Sequence, residues 1–332
     1  MIRGMKVCVF GAGAVGGHIA AKLAAGGHEV SVIARGAHLE AMRDKGISLI
    51  HGERTISGRV RALPDASSLG LQDFVFVTLK ANALGDFAAA AAPLIGRDTG
   101  VVFGQNGIPW WYGIGLAPKR PRPPDLSRLD PDGRLQKLLR PDQIIGGVVY
   151  SANEVREPGV IVNNVPGNNM IVVGRADDGG EIPQLRKLLE DNDISSPRTS
   201  DIRTAVWAKI GQALGTGVLC TLTEAPIAAV RGSASLSKLA ARLGDEVRAI
   251  ARAHGVEPDN APKRPSGGQS SGLISHKPSI LQDYERRRPM EVEAQLVATL
   301  AFAKAANVSA PVLETVVPLV AFKAAARGLY AD

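Results

Sequence analysis

The sequence predicts an α/β domain built on a parallel-core sheet, followed by an all-helical domain. Through the first half, apolar runs of strand length alternate with helix-period segments, the pattern of βαβ units. From Ile202 onward strand signals nearly vanish and apolar residues recur at helical spacing. A chain of 332 residues is long enough for two domains, each with its own core. The expected division is 1–200 and 201–332.

Strands are expected at Lys6–Phe10, Glu29–Ala34, Phe74–Leu79, Gly100–Phe103 and Ile144–Tyr150, with helices at Val15–Ala25, Leu39–Lys45 and Ala83–Leu94 between them. After Tyr150 come strands near Val160–Asn163 and Met170–Val173, then a helix from about Ile182 to Glu190. The helical half is marked by Trp207, Ile210, Leu214 and Val218, by Leu236, Leu239, Leu243, Val247 and Ile250, and by Val292, Leu296, Leu300 and Ala303. The charged, proline-rich stretch over about 115–142 reads as an exposed insertion. Ala261–Pro278, with its Gly and Ser, reads as a surface loop or a mobile lid.

Composition excludes several classes. Apolar residues make up 45% and charged residues 21%, and the 37 glycines and 21 prolines follow no period, as in an ordinary globular protein. No apolar run reaches the roughly 18 residues that cross a bilayer. The net charge of +7 suits an anionic ligand, but the basic residues are scattered without interleaved aromatics, which argues against nucleic acid. Cys8 and Cys220 form no disulfide framework and no metal-ligand cluster. With a strand starting at Lys6 and no leader, the expectation is a cytoplasmic protein that needs no metal.

Gly11-Ala12-Gly13-Ala14-Val15-Gly16 follows an apolar strand without a gap and opens a helix, the context that a bare G-x-G-x-x-G lacks. The first Gly permits the turn, the second lets backbone approach a pyrophosphate, and the third lets helix and strand pack closely. Arg35 ends the second strand where an acid would bind the ribose of NAD; a cation there favours the 2′-phosphate of NADP, the plain alternative being a solvated side chain. Lys80 and Asn106 follow the next two strands at the same sheet edge, where open α/β sheets bind ligands, or are merely loop residues.

Together with Ala34-Arg35-Gly36-Ala37-His38-Leu39 and Gln105-Asn106-Gly107, the phrases Trp207-Ala208-Lys209 and Ser279-Ile280-Leu281-Gln282-Asp283 make the chain resemble the ketopantoate reductase family. The resemblance covers nearly the whole chain outside the proline-rich stretch. It implies an α/β Rossmann-type N-terminal domain binding NADP, an all-α C-terminal domain, and reduction of a 2-keto acid in the cleft between them. By the same resemblance Lys209 is the proton donor, Glu291 orients the substrate's distal hydroxyl, and Ser279 helps hold its carboxylate. Asn106 and Lys80 would lie near the nicotinamide ribose, and Ala152 would touch the cofactor through its backbone. An ammonium suits that role because hydride transfer to a ketone builds negative charge on oxygen.

The family carries Asn four and eight residues after its lysine; here those positions are Ala213 and Gly217, which offer no side-chain hydrogen bond. Gln212 and Thr216 lie near the same helix face and are the expected replacements. The substrate is then 2-dehydropantoate or a related keto acid. The alternatives are another NADP-dependent hydroxyacid or opine-type dehydrogenase, and an NADP-binding relative without activity. The expected partner is a small molecule, with neither nucleic acid nor membrane, and a homodimer is left open.

Overall fold

The computed structural model describes residues 4–118, 120–177, 180–263 and 277–331. Two compact units emerge, one from residues 4–105, 132–202 and 262–263, the other from 106–131, 203–261 and 277–331. The chain therefore does not divide at a single cut near 200, because residues 106–131 belong with the helices of the second unit. Residues 264–276 of the predicted loop or lid lie outside the described residues.

The strands of the first unit are β1 (Lys6–Phe10), β2 (Glu29–Ile33), β3 (Ile47–His51), β4 (Arg54–Gly58), β5 (Arg61–Leu63), β6 (Phe74–Val77), β7 (Gly100–Phe103), β8 (Ile144–Tyr150), β9 (Asn153–Glu157), β10 (Val160–Asn163) and β11 (Met170–Arg175). Its helices are α1 (Ala14–Ala25), α2 (Gly36–Lys45), α3 (Leu84–Ala90), α4 (Arg134–Leu138) and α5 (Pro183–Glu190). The main sheet has the order β11-β8-β7-β6-β1-β2-β5, parallel except for β11, which runs antiparallel to β8 at one edge. Its central strands are buried along their length, which is why they read as unbroken apolar runs.

Of a second sheet, β4-β3-β10-β9, only β10 was legible in the sequence. This sheet covers the outer side of α1, where Ile47, Leu49 and Ile161 join Ile19 and Leu23 in one core. A Cβ on Gly17 would lie 2.7 Å from Ile161, so glycine is what lets the sheet approach. Enclosure between two sheets explains why α1 is buried continuously from Gly16 to Leu23. Even Lys22 is buried, and its ammonium donates to the Asp193 carboxylate and carbonyl, both at 2.6 Å.

The expected insertion is largely exposed, and a few leucines anchor it. It forms short turns and α4, and it buries Leu129, Leu135 and Leu139. Widely spaced leucines among charges hide such anchors from a compositional reading. Gln143 ties its end to the sheet by donating to the carbonyls of Gly96 (2.7 Å) and Thr99 (3.2 Å).

The second unit is helical, as expected: α6 (Ile202–Thr223), α7 (Ile227–Gly232), α8 (Ala234–Ala253), α9 (Ser279–Glu285), α10 (Ala298–Ala305) and α11 (Pro311–Ala325), with a π-helical turn, Glu293–Val297, leading into α10. Its core holds an edge-to-face cluster of Tyr112, Trp207 and Phe302 with His254. Among the described residues, no helix is long and apolar enough to cross a membrane.

One buried group makes stability depend on pH. His18 on α1 is 1% exposed, both ring nitrogens lack a partner, and burial, aided by the Lys22 charge, pushes its pKa from 6.5 down to about 3. Below the unfolded value, near 6.5, the unfolded chain takes up a proton that the folded chain refuses, so stability falls as pH drops toward 3. We expect His18 to account for a loss of about 2 kcal/mol between pH 6.5 and pH 5. Urea titrations at pH 5 and 7.5 check this: His18→Leu should shrink the difference between the two midpoints, and an unchanged difference would reject the assignment.

Candidate active site

The first functional cluster lies where β1, β2 and β6 end, at the carboxyl edge of the parallel sheet. Gly11 has φ +101°, and a Cβ there would meet Leu79 Cδ2 at 2.7 Å. A Cβ on Gly16 would strike the Gly11 carbonyl and Thr78 and come within 2.8 Å of Val9. Around Gly13 a Cβ would meet nothing within 4 Å, so the turn is open where a ligand must approach. The three glycines thus have three separate physical reasons.

The turn is held from three sides. Gly11 and Ala12 N–H groups donate to the Ile33 carbonyl at 3.1 and 3.3 Å, and the Thr78 hydroxyl donates to the Gly11 carbonyl at 2.7 Å. His38 Nε2 donates to the Ala12 carbonyl at 2.7 Å, because its Nδ1 accepts from Gly159 N–H at 2.9 Å. No side chain caps α1 and no acid stands in its first turn, formed by Ala14, Val15 and Gly16, so its positive end faces the opening. These residues fit the pyrophosphate of a dinucleotide.

Arg35 caps α2 from the end of β2, its side chain 79% exposed and 3.2 Å from Asp86. So exposed a pair is worth no more than about 1 kcal/mol and yields readily to a phosphate. Lys80 is half-buried just beyond β6. Ala152 lies between β8 and β9, and its carbonyl accepts from Asn164 N–H at 2.8 Å.

The second cluster belongs to the helical unit. Arg203 donates to the Tyr112 carbonyl at 3.0 and 2.9 Å, and Trp207 Nε1 donates to the Tyr112 hydroxyl at 2.7 Å, pinning residues 110–114 onto α6 just before Lys209. Upstream, Gly107 has φ +86°, and a Cβ there would strike the Ala294 carbonyl. Ile108 N–H donates to that carbonyl at 2.7 Å, while Ala298 N–H goes to Glu293 in the π register.

The result is a pocket lined by Asn106, Gly107, Lys209, Ile210, Ala213, Leu214 and Gln295. Glu291, 7% exposed, stands against it: its Oε2 accepts from Gln295 Nε2 at 3.3 Å and from Asn106 Nδ2 at 3.5 Å. The structure therefore brings Lys209, Asn106 and Glu291 together. It places Gln212, Thr216 and Ser279 elsewhere. Gln212 is exposed, Thr216 donates to the Gln212 carbonyl at 3.2 Å, and neither lines the pocket, because the Lys209–Ala213 row faces it. Ser279 is exposed at the first residue of α9, whose neighbours Pro278 and Ile280 sit across from Gly217.

Two residues escaped the sequence reading. Gln295 was visible only as a polar residue four after Glu291 within an apolar run, and His38 only as part of a phrase.

A dinucleotide turn on one unit and a cation-bearing pocket on the other define the class, a two-part oxidoreductase. Residues 7–120 match the family model described as ketopantoate reductase PanE/ApbA, and residues 201–324 match that of its C-terminal domain. A 2-dehydropantoate 2-reductase of Mesorhizobium japonicum is 37% identical over 98% of this chain and 100% of its own length. The chain belongs to the ketopantoate reductase family. The crystal structure of a candidate ketopantoate reductase from Ralstonia solanacearum matches with a TM-score of 0.83 at 30% identity, covering 98% of this chain and 100% of that one. D-mandelate dehydrogenase, solved with NADH and anilino(oxo)acetate, shares the fold with a TM-score of 0.79 at 18% identity, over 98% of this chain and 100% of that one.

The glycine turn can be tested without assaying turnover. Gly13→Ala should leave the melting temperature within about 2 °C while weakening dinucleotide binding about 10-fold or more, since the methyl enters only the open space. Gly16→Ala should cost about 1–3 kcal/mol of stability, since its methyl meets backbone. Calorimetry with and without the dinucleotide separates the two, and equal effects would reject the division of roles.

Proposed function

We propose that the protein reduces a 2-keto acid to the 2-hydroxy acid using NADPH, with 2-dehydropantoate the first substrate to try. The observation that carries this reading is the pocket in which Lys209 meets Asn106 and Gln295, beside the carboxylate of Glu291. The name of the 37% identical relative supports the substrate. Arg35 supports NADPH over NADH, since its guanidinium suits a 2′-phosphate. Buried, unpaired thiols at Cys8 and Cys220 suit the reducing cytoplasm.

When bound, NADPH supplies the hydride that reaches the keto carbon. As the carbonyl oxygen gains charge, the Lys209 ammonium stabilises it and gives it a proton; the amine then regains one from solvent. Asn106 would hold the reacting end, and Lys80 and the Ala152 backbone would hold the cofactor. Glu291 accepts the hydrogen bond of a substrate hydroxyl. Gln212, Thr216 and Ser279 do not line the pocket and have no part in this reading.

Following NADPH absorbance with 2-dehydropantoate and branched 2-keto acids tests it directly. Lys209→Ala should lower kcat by about 100-fold or more with little change in the KM for NADPH; a kcat within a few-fold of the parent would remove Lys209 as the acid. Arg35→Glu should lower kcat/KM about 10- to 100-fold with NADPH and far less with NADH. Equal losses with both cofactors would reject the 2′-phosphate contact.

A further inference from the structure

We propose that Gln295 is a specificity-determining residue: its amide donates to the same substrate hydroxyl that gives its proton to Glu291, so that removing the amide erodes the preference for the hydroxylated acid. This rests on the reading of the pocket as a 2-keto acid site.

The hydrogen-bonding inventory of the pocket is unequal between its walls. The α6 wall consists of Lys209, Ile210, Ala213 and Leu214. Apart from Lys209 those side chains neither donate nor accept, and an ammonium can only donate. The other wall presents two carboxamides, Asn106 and Gln295, with a carboxylate between them. Among the side chains that line the pocket, those able to read a polar group beyond the keto acid end are therefore on that wall.

Gln295 is not placed there by default. It is 7% exposed, beside the buried Ala294 and Leu296, where an apolar residue would serve packing better. The π-helical turn Glu293–Val297 carries it, and that turn accompanies the intrusion of Gly107 and Ile108. One N–H of its amide goes to Glu291. A carboxamide has a second N–H and a carbonyl, and a carboxylate can accept several bonds at once.

A hydroxyl fits that combination because it accepts and donates through one atom: it takes the second N–H of Gln295 and gives its own proton to Glu291. A methyl in its place satisfies neither group and removes water from both, so a site built this way rejects the deoxy analogue strongly.

Two substrates with one carbon skeleton read the effect, 2-dehydropantoate and 3,3-dimethyl-2-oxobutanoate, which lacks only the hydroxyl. The parent enzyme should favour the former in kcat/KM by about 100-fold or more. Gln295→Met, similar in size and apolar, should lower kcat/KM for the hydroxylated substrate at least about 10-fold more than for the deoxy one, mainly through KM. If that variant does not fold, Gln295→Asn, which keeps a carboxamide but withdraws it by one carbon, should erode the ratio in the same direction. A parent ratio near one, a preference for the deoxy acid, or a ratio that neither variant changes overturns the role of Gln295 and leaves the 2-keto acid reading standing. Failure of the parent to reduce any 2-keto acid with NADPH overturns that reading itself.

Discussion

The hydrogen bond from Ile108 N–H to the Ala294 carbonyl sets the geometry of the pocket. For the chain to reach a carbonyl inside a helical segment, the helix must release that carbonyl and the incoming chain must lack a side chain. The π-helical turn answers the first need, since Ala298 N–H goes to Glu293, and Gly107 answers the second. With that contact made, Asn106 lies against Glu291, and Gln295, four residues on, reaches the same carboxylate oxygen. The aromatic cluster of Tyr112, Trp207 and Phe302 holds the other end of the segment on α6. Lys209 comes two residues after Trp207, so its place follows from packing that is buried throughout.

The glycine turn of the other unit depends on a comparable close approach. Gly16 brings α1 against β1, and Gly17 brings the second sheet against its far side. A helix enclosed in this way has no polar face to turn outward, which accounts for the buried Lys22 and its pair with Asp193. Asp193 itself is held below the usual carboxylate range: burial works against this, but the hydrogen bond and charge of Lys22 prevail. These contacts hold the turn beside Gly13, where the space is open, and the His38 ring supports it through the Ala12 carbonyl.

Much of this was legible in the sequence because it rests on local chemistry. β1, β7, β8 and β10 match their expected spans, since apolar runs between turn residues specify buried strands. The glycine turn was legible for the same reason. β4, with the sequence Arg-Thr-Ile-Ser-Gly, and β9, with Asn-Glu-Val-Arg-Glu, were not, because each is an edge strand, largely exposed, with a polar composition that resembles a loop. Lys209, Asn106 and Glu291 were reached through family resemblance, which carries spatial knowledge that spacing lacks. Gln295 was hidden because its direction depends on the π register, and helical periodicity assumes the ordinary one.

The same geometry explains why the recognition groups sit where they do. A Cβ on Gly215 would lie 3.2 Å from the Ala240 carbonyl of α8, and one on Gly217 would touch the side chains of Pro278 and Ile280 at 3.6 and 3.5 Å. Through Gly215 α6 packs backbone-close to α8, and at 217 the side chains of Pro278 and Ile280 already stand against it. At 213, alanine leaves an apolar wall beside Lys209. The α6 wall of the pocket therefore offers Lys209 and apolar side chains only. The amides come from outside α6, and the π turn is where the backbone, already displaced by Ile108, aims one into the pocket.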